Sequence, residues 1–500
     1  MITLGRPPQK LTAVLTLAAC AVAGKGIAPI GASSSAAPVQ VEGAASPAAP
    51  SRPNILLVTV DDAAASDLRW MPKVRRLIGD QGVRVTNALA PTPLCVPARA
   101  TLLSGQYAHN HGALGIRGRH GSVRSFDDRR TLPTWLRRAG YDTYFVGKYL
   151  NGYGRNSKRY VPPGWTGWQG SIDPFTYNYA RTVTNRNGTI VRDERYSTDS
   201  FARMANRVLR REAKDADPFY LWVNYVAPHK GGPRERDDPR RRFAGHTIDT
   251  PAVAERHRNS FRHLALPDVP SLFRTPGRSI VNASQRPWAK RARAALRESY
   301  QQRIESLQAV DEAVGSHLRV LRRTGQLRNT IVAFTSDNGF LVGQHNLNGK
   351  LWFYQESVQV PLVIRGPGIP RGRTVDDVVT HADLPVTFAA LAQARPNRRV
   401  DGTDVWPVLS GQVVSSPQRV VPIAAYPITA RTTRRLYSGV RVGNDWSYAV
   451  APSGVEEIYD LRRDRYQLTN LARDPRFAER RAWLRGLARQ YRDCAGEQCR

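Results

Sequence analysis

The sequence predicts an α/β fold: a large, mostly parallel sheet flanked by helices, followed by a small C-terminal antiparallel sheet-and-helix subdomain. Three observations carry this expectation. Continuous apolar runs at 54–60, 143–146, 219–226 and 331–334 have the character of strands buried on both faces, as in a parallel sheet. Helical patterns lie between them. The clearest places Tyr300, Ile304, Leu307, Val310, Val314, Leu318 and Leu321 at spacings of three and four, with Gly325 as its C-terminal cap. Alternation of strands and helices is the mark of the α/β class. After a break at 396–401, short alternating patterns at 435–450 and 456–461 read as strands, and 477–491 as a closing helix.

Taken in order, the chain opens with a leader. Arg6 and Lys10 form a charged start, and 11–19 is a short apolar run. That run falls well below the roughly 20 residues a bilayer span needs. Leu17-Ala18-Ala19-Cys20 resembles a bacterial lipobox, in which the cysteine is lipidated, so 1–20 reads as a signal peptide. Ala21-Val22-Ala23 offers an ordinary cleavage site instead. Both readings imply export, either to a lipid anchor at the cell surface or into the medium. Residues 21–51, rich in Ala, Ser, Pro and Gly, read as a flexible linker. The catalytic domain is expected over 52–396 and the small subdomain over 397–500. Within the first, 230–288 is rich in Arg, Pro, Asp and His with little periodicity. It reads as a long insertion over the active-site face, where such segments set substrate choice. No internal repeat is visible.

Five hundred residues are more than one core usually serves, which suits a large domain plus a smaller one. The formal net charge of +33 points toward anionic partners. Nucleic acid, an anionic membrane surface and a sulfated or phosphorylated substrate all fit. So does an arginine-rich composition spread over solvated surface, because the basic residues are scattered rather than gathered in one tail. Of the four cysteines, Cys20 lies in the leader and Cys95 stands alone. Cys494 and Cys499 are five apart, close enough for a terminal disulfide in an oxidising compartment. Two free thiols and a metal pair are the alternatives, although no nearby Cys or His completes a metal site.

Each expected strand ends in a polar group: Asp61-Asp62, Gly147-Lys148, Pro228-His229 and Asp337-Asn338. In an open parallel sheet such ends share one edge, where ligands bind. Asp61, Asp62, Asp337 and Asn338 offer only oxygen donors, which suit Ca²⁺ or Mg²⁺ rather than zinc. Pro97 suits the first turn of a helix that Gly105 stops. Cys95 would then sit at a helix N-terminus, where the dipole and free N–H groups favour an anion.

Leu94-Cys95-Val96-Pro97-Ala98-Arg99 carries Cys-x-Pro-x-Arg, and with 100–105 it resembles the sulfatase signature. Residues 52–62, Thr335-Ser336-Asp337-Asn338-Gly339, Tyr459-Asp460-Leu461 and 468–472 resemble further segments of that family, in family order. The resemblance covers about Arg52 to Pro475. It implies a formylglycine-dependent sulfatase with an alkaline phosphatase-like fold. It also implies that a formylglycine-generating enzyme oxidises Cys95, and that Asp61, Asp62, Asp337, Asn338 and the oxidised Cys95 hold one Ca²⁺, with Mg²⁺ as the alternative. Hydrated formylglycine is a geminal diol. One hydroxyl attacks sulfur, and the other later expels sulfate as the aldehyde re-forms. By resemblance Arg99 stabilises the deprotonated diol, Lys148 and Lys350 hold sulfate oxygens, and His229 protonates the leaving alcohol. His109 and His111 read as structural, and the role of His345 stays open.

Two departures matter. Ala98 stands where many members have Ser. Gly147-Lys148-Tyr149-Leu150-Asn151 lacks the Lys-x-His of many aryl sulfatases and resembles N-acetylglucosamine-6-sulfatases and extracellular heparan endosulfatases. The implied substrate is therefore a sulfated carbohydrate, an amino-sugar 6-sulfate, with no specific nucleic acid partner. A phosphonate monoester or phosphodiester hydrolase of the same superfamily shares these motifs. A non-catalytic lipoprotein that captures polyanions is the alternative of another class.

Overall fold

The computed structural model describes residues 52–243, 245–277, 279–281, 287–413 and 418–500. The leader, Cys20 and the linker lie outside them. The described residues belong to a single compact unit. Ten strands form the main sheet: β1 (Asn54–Val60), β2 (Val83–Leu89), β3 (Asp142–Lys148), β4 (Gly167–Ser171), β5 (Thr182–Arg186), β6 (Thr189–Asp193), β7 (Phe219–Asn224), β8 (Thr330–Ser336), β9 (Leu362–Arg365) and β10 (Arg373–Thr380). Their spatial order is β10-β2-β9-β8-β1-β7-β3-β4-β5-β6. The central run from β8 through β1, β7 and β3 to β4 is parallel, as continuous apolar runs require. The α/β expectation holds.

Antiparallel members were not legible in advance. Strand β9 runs against both β8 and β2, and β5 and β6 extend the other edge as a hairpin. The strand expected over 219–226 ends at Asn224.

Alternate residues of each central strand feed two separate cores. Ile55, Leu57, Tyr220 and Trp222 join the cluster that packs α1 (Cys95–Ser104) through Val96, Ala100 and Leu103. Leu56, Val58, Leu221 and Val223 join the cluster on the opposite face. There they meet α3 (Ser197–Glu212) and α4 (Lys290–Arg323), while α2 (Leu132–Arg138) lies on the α1 side. Each central strand therefore has no solvent face, which is why its sequence is apolar throughout. Helix α4 begins about ten residues before the stripe that announced it, because Ala292, Ala295 and Leu296 continue the buried face. It stops at Arg323, and Gly325 follows in the left-handed region at φ 74°.

Beyond α5 (Asp383–Leu391) the C-terminal sheet has four strands, β11 (Val420–Ala425), β12 (Tyr437–Val442), β13 (Trp446–Val450) and β14 (Glu456–Asp460), and α6 (Ala478–Tyr491) packs on it. Sequence reading missed β11 because Pro422 lies inside it. Proline has no N–H to give a ladder and is tolerated on an edge strand, which β11 is. Val421, Ile423, Tyr437 and Tyr459 of this sheet share one apolar cluster with Leu89, Leu94 and Tyr107. Among the described residues no helix is long and apolar enough to cross a membrane.

Candidate active site

Parallel pairing of β1 with β8, in the register Val60 opposite Ser336, sets Asp61 and Asp62 beside Asp337 and Asn338. The Asp62 amide donates to Asp337 Oδ1 at 3.1 Å, and Asn338 Nδ2 donates to Asp62 Oδ1 at 2.7 Å. Asp62 has φ 76°, a left-handed conformation that a short polar side chain tolerates. Ligand atoms of Asp61, Asp62 and Asp337 lie within 4.8 Å of one another. Beside them Asn338 Oδ1 is buried with no hydrogen-bond partner. An orphaned acceptor next to three buried carboxylates is an oxygen-only set, and such a set can hold a hard divalent cation.

Cys95 is the first residue of α1. Leu94 caps the helix in an extended conformation, and Gly105 ends it at φ 67° with its amide on the Thr101 carbonyl. Lys350 Nζ approaches the Cys95 sulfur at 2.9 Å, and the sulfur lies 3.5 Å from Asp61 Oδ1. Burial, reinforced by the Asp61 charge, pushes the thiol up to about 12. Unmodified, this group is a protonated thiol at neutral pH and a poor nucleophile.

One helical turn on, the Arg99 guanidinium is held by two carboxylates and a carbonyl. Its Nε binds Asp337 Oδ2 at 2.8 Å, Nη2 lies 3.0 Å from Asp61 Oδ2, and Nη1 donates to the Lys148 carbonyl at 2.8 Å. Lys148, at the end of β3, pairs with Asp61, and Lys350 pairs with Asp62. Burial alone would raise the Asp61 carboxyl, but Lys148, His229, Arg99 and Lys350 hold it well below the usual range. Asp62 is lowered too, chiefly by Lys350 against the effect of burial. Asp337 rises to about 6 through burial and the Asp61 charge. His229 Nε2 lies 3.9 Å from Asp62 Oδ2, and its Nδ1 is 2.7 Å from the Lys230 carbonyl. Burial lowers its ring to about 4. All nine residues singled out from sequence therefore meet at one edge of the sheet.

A family model for sulfatases matches residues 53–394, most of the chain. The chain belongs to the sulfatase family. That places it among the sulfuric ester hydrolases. A second model, for the C-terminal part of N-sulphoglucosamine sulphohydrolase, matches 343–492. An arylsulfatase of Volvox carteri is 29% identical over 90% of this chain and 76% of its own length. An N-acetylglucosamine-6-sulfatase of Capra hircus is 29% identical over 72% of this chain and 64% of its own. An extracellular sulfatase homologue of Drosophila melanogaster is 33% identical over 72% of this chain, which spans only 31% of that protein. Among solved structures, one in complex with its substrate D-glucosamine-2-N,6-O-disulfate superposes with a TM-score of 0.71 at 21% identity. It covers 88% of this chain and 97% of its own. The shared fold is the alkaline phosphatase-like one.

Sequence reading missed several residues of this sulfatase's site. Asn224, at the end of β7, donates to the Lys148 carbonyl at 2.7 Å and accepts from Thr59. Its position at a strand end was the available signal. The Tyr177 ring lies tilted beside His229 with ring centroids 4.9 Å apart, its centroid is 4.9 Å from Lys148 Nζ, and its hydroxyl receives Asn151 Nδ2 at 2.6 Å. Arg303, one position off the apolar stripe of α4, donates to the carbonyls of Asp62 and Pro228 and lies over Phe340. Only a buried charge within an apolar helix face hinted at it.

Other expectations find their places. His111 bonds Thr101 and the Ala113 amide, within the signature helix and its following turn. His345 stacks on Tyr354 and lies 3.8 Å from Glu356. Cys494 and Cys499 are joined as a disulfide. Folding does bring a histidine near them, contrary to expectation, but His109 binds the Cys494 carbonyl at 2.8 Å. The described part of 230–288 begins at the site, next to His229. It then packs on the segment leading to Lys350: the Phe273 amide bonds Gly343, and Trp288 Nε1 bonds the Asn346 carbonyl.

Proposed function

We propose that this chain is an exported sulfatase that hydrolyses sulfate esters of carbohydrates, amino-sugar 6-sulfates in particular, through formylglycine made from Cys95. The observation that carries the reading is the setting of Cys95. A buried residue at a helix N-terminus, flanked by Lys350 and Asp61, is well placed for an anion but useless as a thiol whose proton leaves only near about 12. Oxidation by a formylglycine-generating enzyme replaces that thiol with an aldehyde whose hydrate can act.

One hydroxyl of the hydrate attacks sulfur, and His229, whose ring burial lowers to about 4 in the empty site, is assigned to the leaving alcohol. As the new oxygen–sulfur bond forms, the attacking hydroxyl loses its proton to solvent and the bond from sulfur to the sugar oxygen breaks. His229, protonated from solvent once the anionic ester is bound, gives its proton to that departing oxygen. Loss of the second hydroxyl's proton then breaks the bond to sulfate and restores the aldehyde. Lys148 and Lys350 hold sulfate oxygens. Arg99 acts on the carboxylates rather than on substrate, which supports a positioning role alongside the stabilising one the family implies. Asp61, Asp62, Asp337, Asn338 and the modified residue 95 would hold one Ca²⁺ or Mg²⁺, which lowers the pKa of a bound hydroxyl and polarises sulfate oxygen.

Support for a sugar substrate comes from the goat N-acetylglucosamine-6-sulfatase relative and from the substrate in the neighbouring structure. Export, with Cys20 lipidation as its finer form, rests on the leader sequence and on the extracellular sulfatase relative. The test is mass spectrometry of the Cys95 peptide from protein made with and without a formylglycine-generating enzyme, alongside turnover of glucosamine-6-sulfate and nitrophenyl sulfate. Formylglycine should track activity, and the sugar should be the better substrate. Full activity from unmodified Cys95, or preference for a phosphonate monoester, would sink the reading.

A further inference from the structure

Away from the carboxylate cluster, a cavity of about 540 Å³ opens where β3, β4 and β5 meet α3. Tyr144, opposite Gly167 in the sheet register, lies four residues before Lys148. At the rise of a strand this places the cavity about 13 Å back from the catalytic edge. Arg186, Arg207 and Arg211 line it together with Gln169 and Asn187, and Trp168 forms part of its wall. None of its lining residues is acidic.

Folding accounts for only part of this positive charge. Helix α3 carries Arg203, Arg207 and Arg211 at successive i,i+4 positions, all exposed, and like charges at that spacing destabilise a helix. Arg211 has structural partners, Glu212 at 2.9 Å and the Tyr144 ring at 4.7 Å, and it sits in the last turn, where a cation suits the helix dipole. Arg203 and Arg207 form no ion pair among the described residues. Arg186 Nε donates to the Thr184 hydroxyl at 3.3 Å, and its carboxylate contact is Asp193, at 4.0 Å, which Arg195 holds more closely, at 3.0 Å. Partial burial and the neighbouring Arg207 charge lower the Arg186 guanidinium. Arg186 and Arg207 thus line one polar cavity, close enough for their charges to oppose each other, and no carboxylate belongs to its lining. A bound oxyanion relieves that repulsion, and the guanidinium fork matches its geometry.

We propose that this cavity is a second anion site, which holds a sulfate group of a polysulfated polysaccharide while another part of the same chain occupies the catalytic edge. The proposal builds on the carbohydrate-sulfatase reading. Its volume suits one sulfated sugar residue. Trp168 is fully buried, so the cavity offers no exposed ring for stacking bases and favours a polysaccharide over single-stranded nucleic acid.

The experiment compares the parent with Arg186→Ala/Arg207→Ala by calorimetry with a long heparin fragment, and by kcat/KM on glucosamine-6-sulfate. Affinity for the fragment should fall about tenfold, and its salt dependence should flatten, while kcat/KM on the monosaccharide stays unchanged. Heparin binding equal to the parent's would overturn the proposal. So would an oligonucleotide of matched charge that binds as tightly and loses as much. Calorimetry reads binding without turnover, so it decides this site even if glucosamine-6-sulfate proves not to be a substrate. Arg207→Gln, on an exposed helix face, replaces the double variant if that fails to fold.

Discussion

Arg99 shows how one side chain organises the catalytic edge. Its three nitrogens reach Asp337, Asp61 and the Lys148 carbonyl, tying the ends of β8, β1 and β3 together. A lysine keeps the charge but has no planar fork, so it cannot meet all three at once. Arg99→Lys should therefore lower kcat/KM by at least about tenfold, equivalent to about 1.4 kcal/mol of transition-state stabilisation. It should also lower the melting temperature, because a buried carboxylate loses its partner. Steady-state kinetics and a thermal melt of the same sample measure both. Unchanged kinetics would show that the fork is dispensable.

Helices α3 and α4 are locked by a polar contact inside an apolar interface. His317 of α4 lies wholly buried, with Nδ1 at 2.7 Å from Asn206 Oδ1 of α3 and Nε2 at 2.7 Å from the Tyr225 hydroxyl. Burial pushes its ring down to about 3. The unfolded chain takes up this proton near about 6.5, the folded chain only near 3. Its contribution is thus fully present above pH ~6.5 and is lost as pH falls toward 3. Urea unfolding at pH 7, 5 and 4 should show stability declining more steeply in the parent than in His317→Gln, which cannot titrate. Parallel decline in the two would assign the acid sensitivity to carboxylates alone.

For the whole molecule, a single cation would couple β1, β8 and α1. A ligand that binds only the folded state at about a hundred times its Kd adds about 2.7 kcal/mol. Chelation should therefore abolish turnover and lower the melting temperature together, and Ca²⁺ or Mg²⁺ should restore both. Elemental analysis showing stoichiometric zinc would contradict the oxygen-only donor set.

What was legible in the sequence is what depends on near neighbours along the chain. Unbroken apolar runs require strands without a solvent face, and the polar residue ending each run must then emerge at a common edge. Asp61, Asp62, Lys148, His229, Asp337 and Asn338 were readable in this way, and Pro97 and Gly105 bracketed the helix that begins at Cys95. Lys350 came only from family resemblance, since no strand end announces it. Partners distant in sequence were decided by the tertiary structure alone. Arg99 turns to Asp337, 238 residues away, Arg303 to the Asp62 carbonyl, and Tyr177 to His229. Strands β5, β6 and β9 join the sheet antiparallel, and β11 accepts Pro422 because it lies on an edge. Local periodicity records whether a residue is buried. Which residue it is buried against depends on strand order and on long-range packing, and these exist only once the chain has folded.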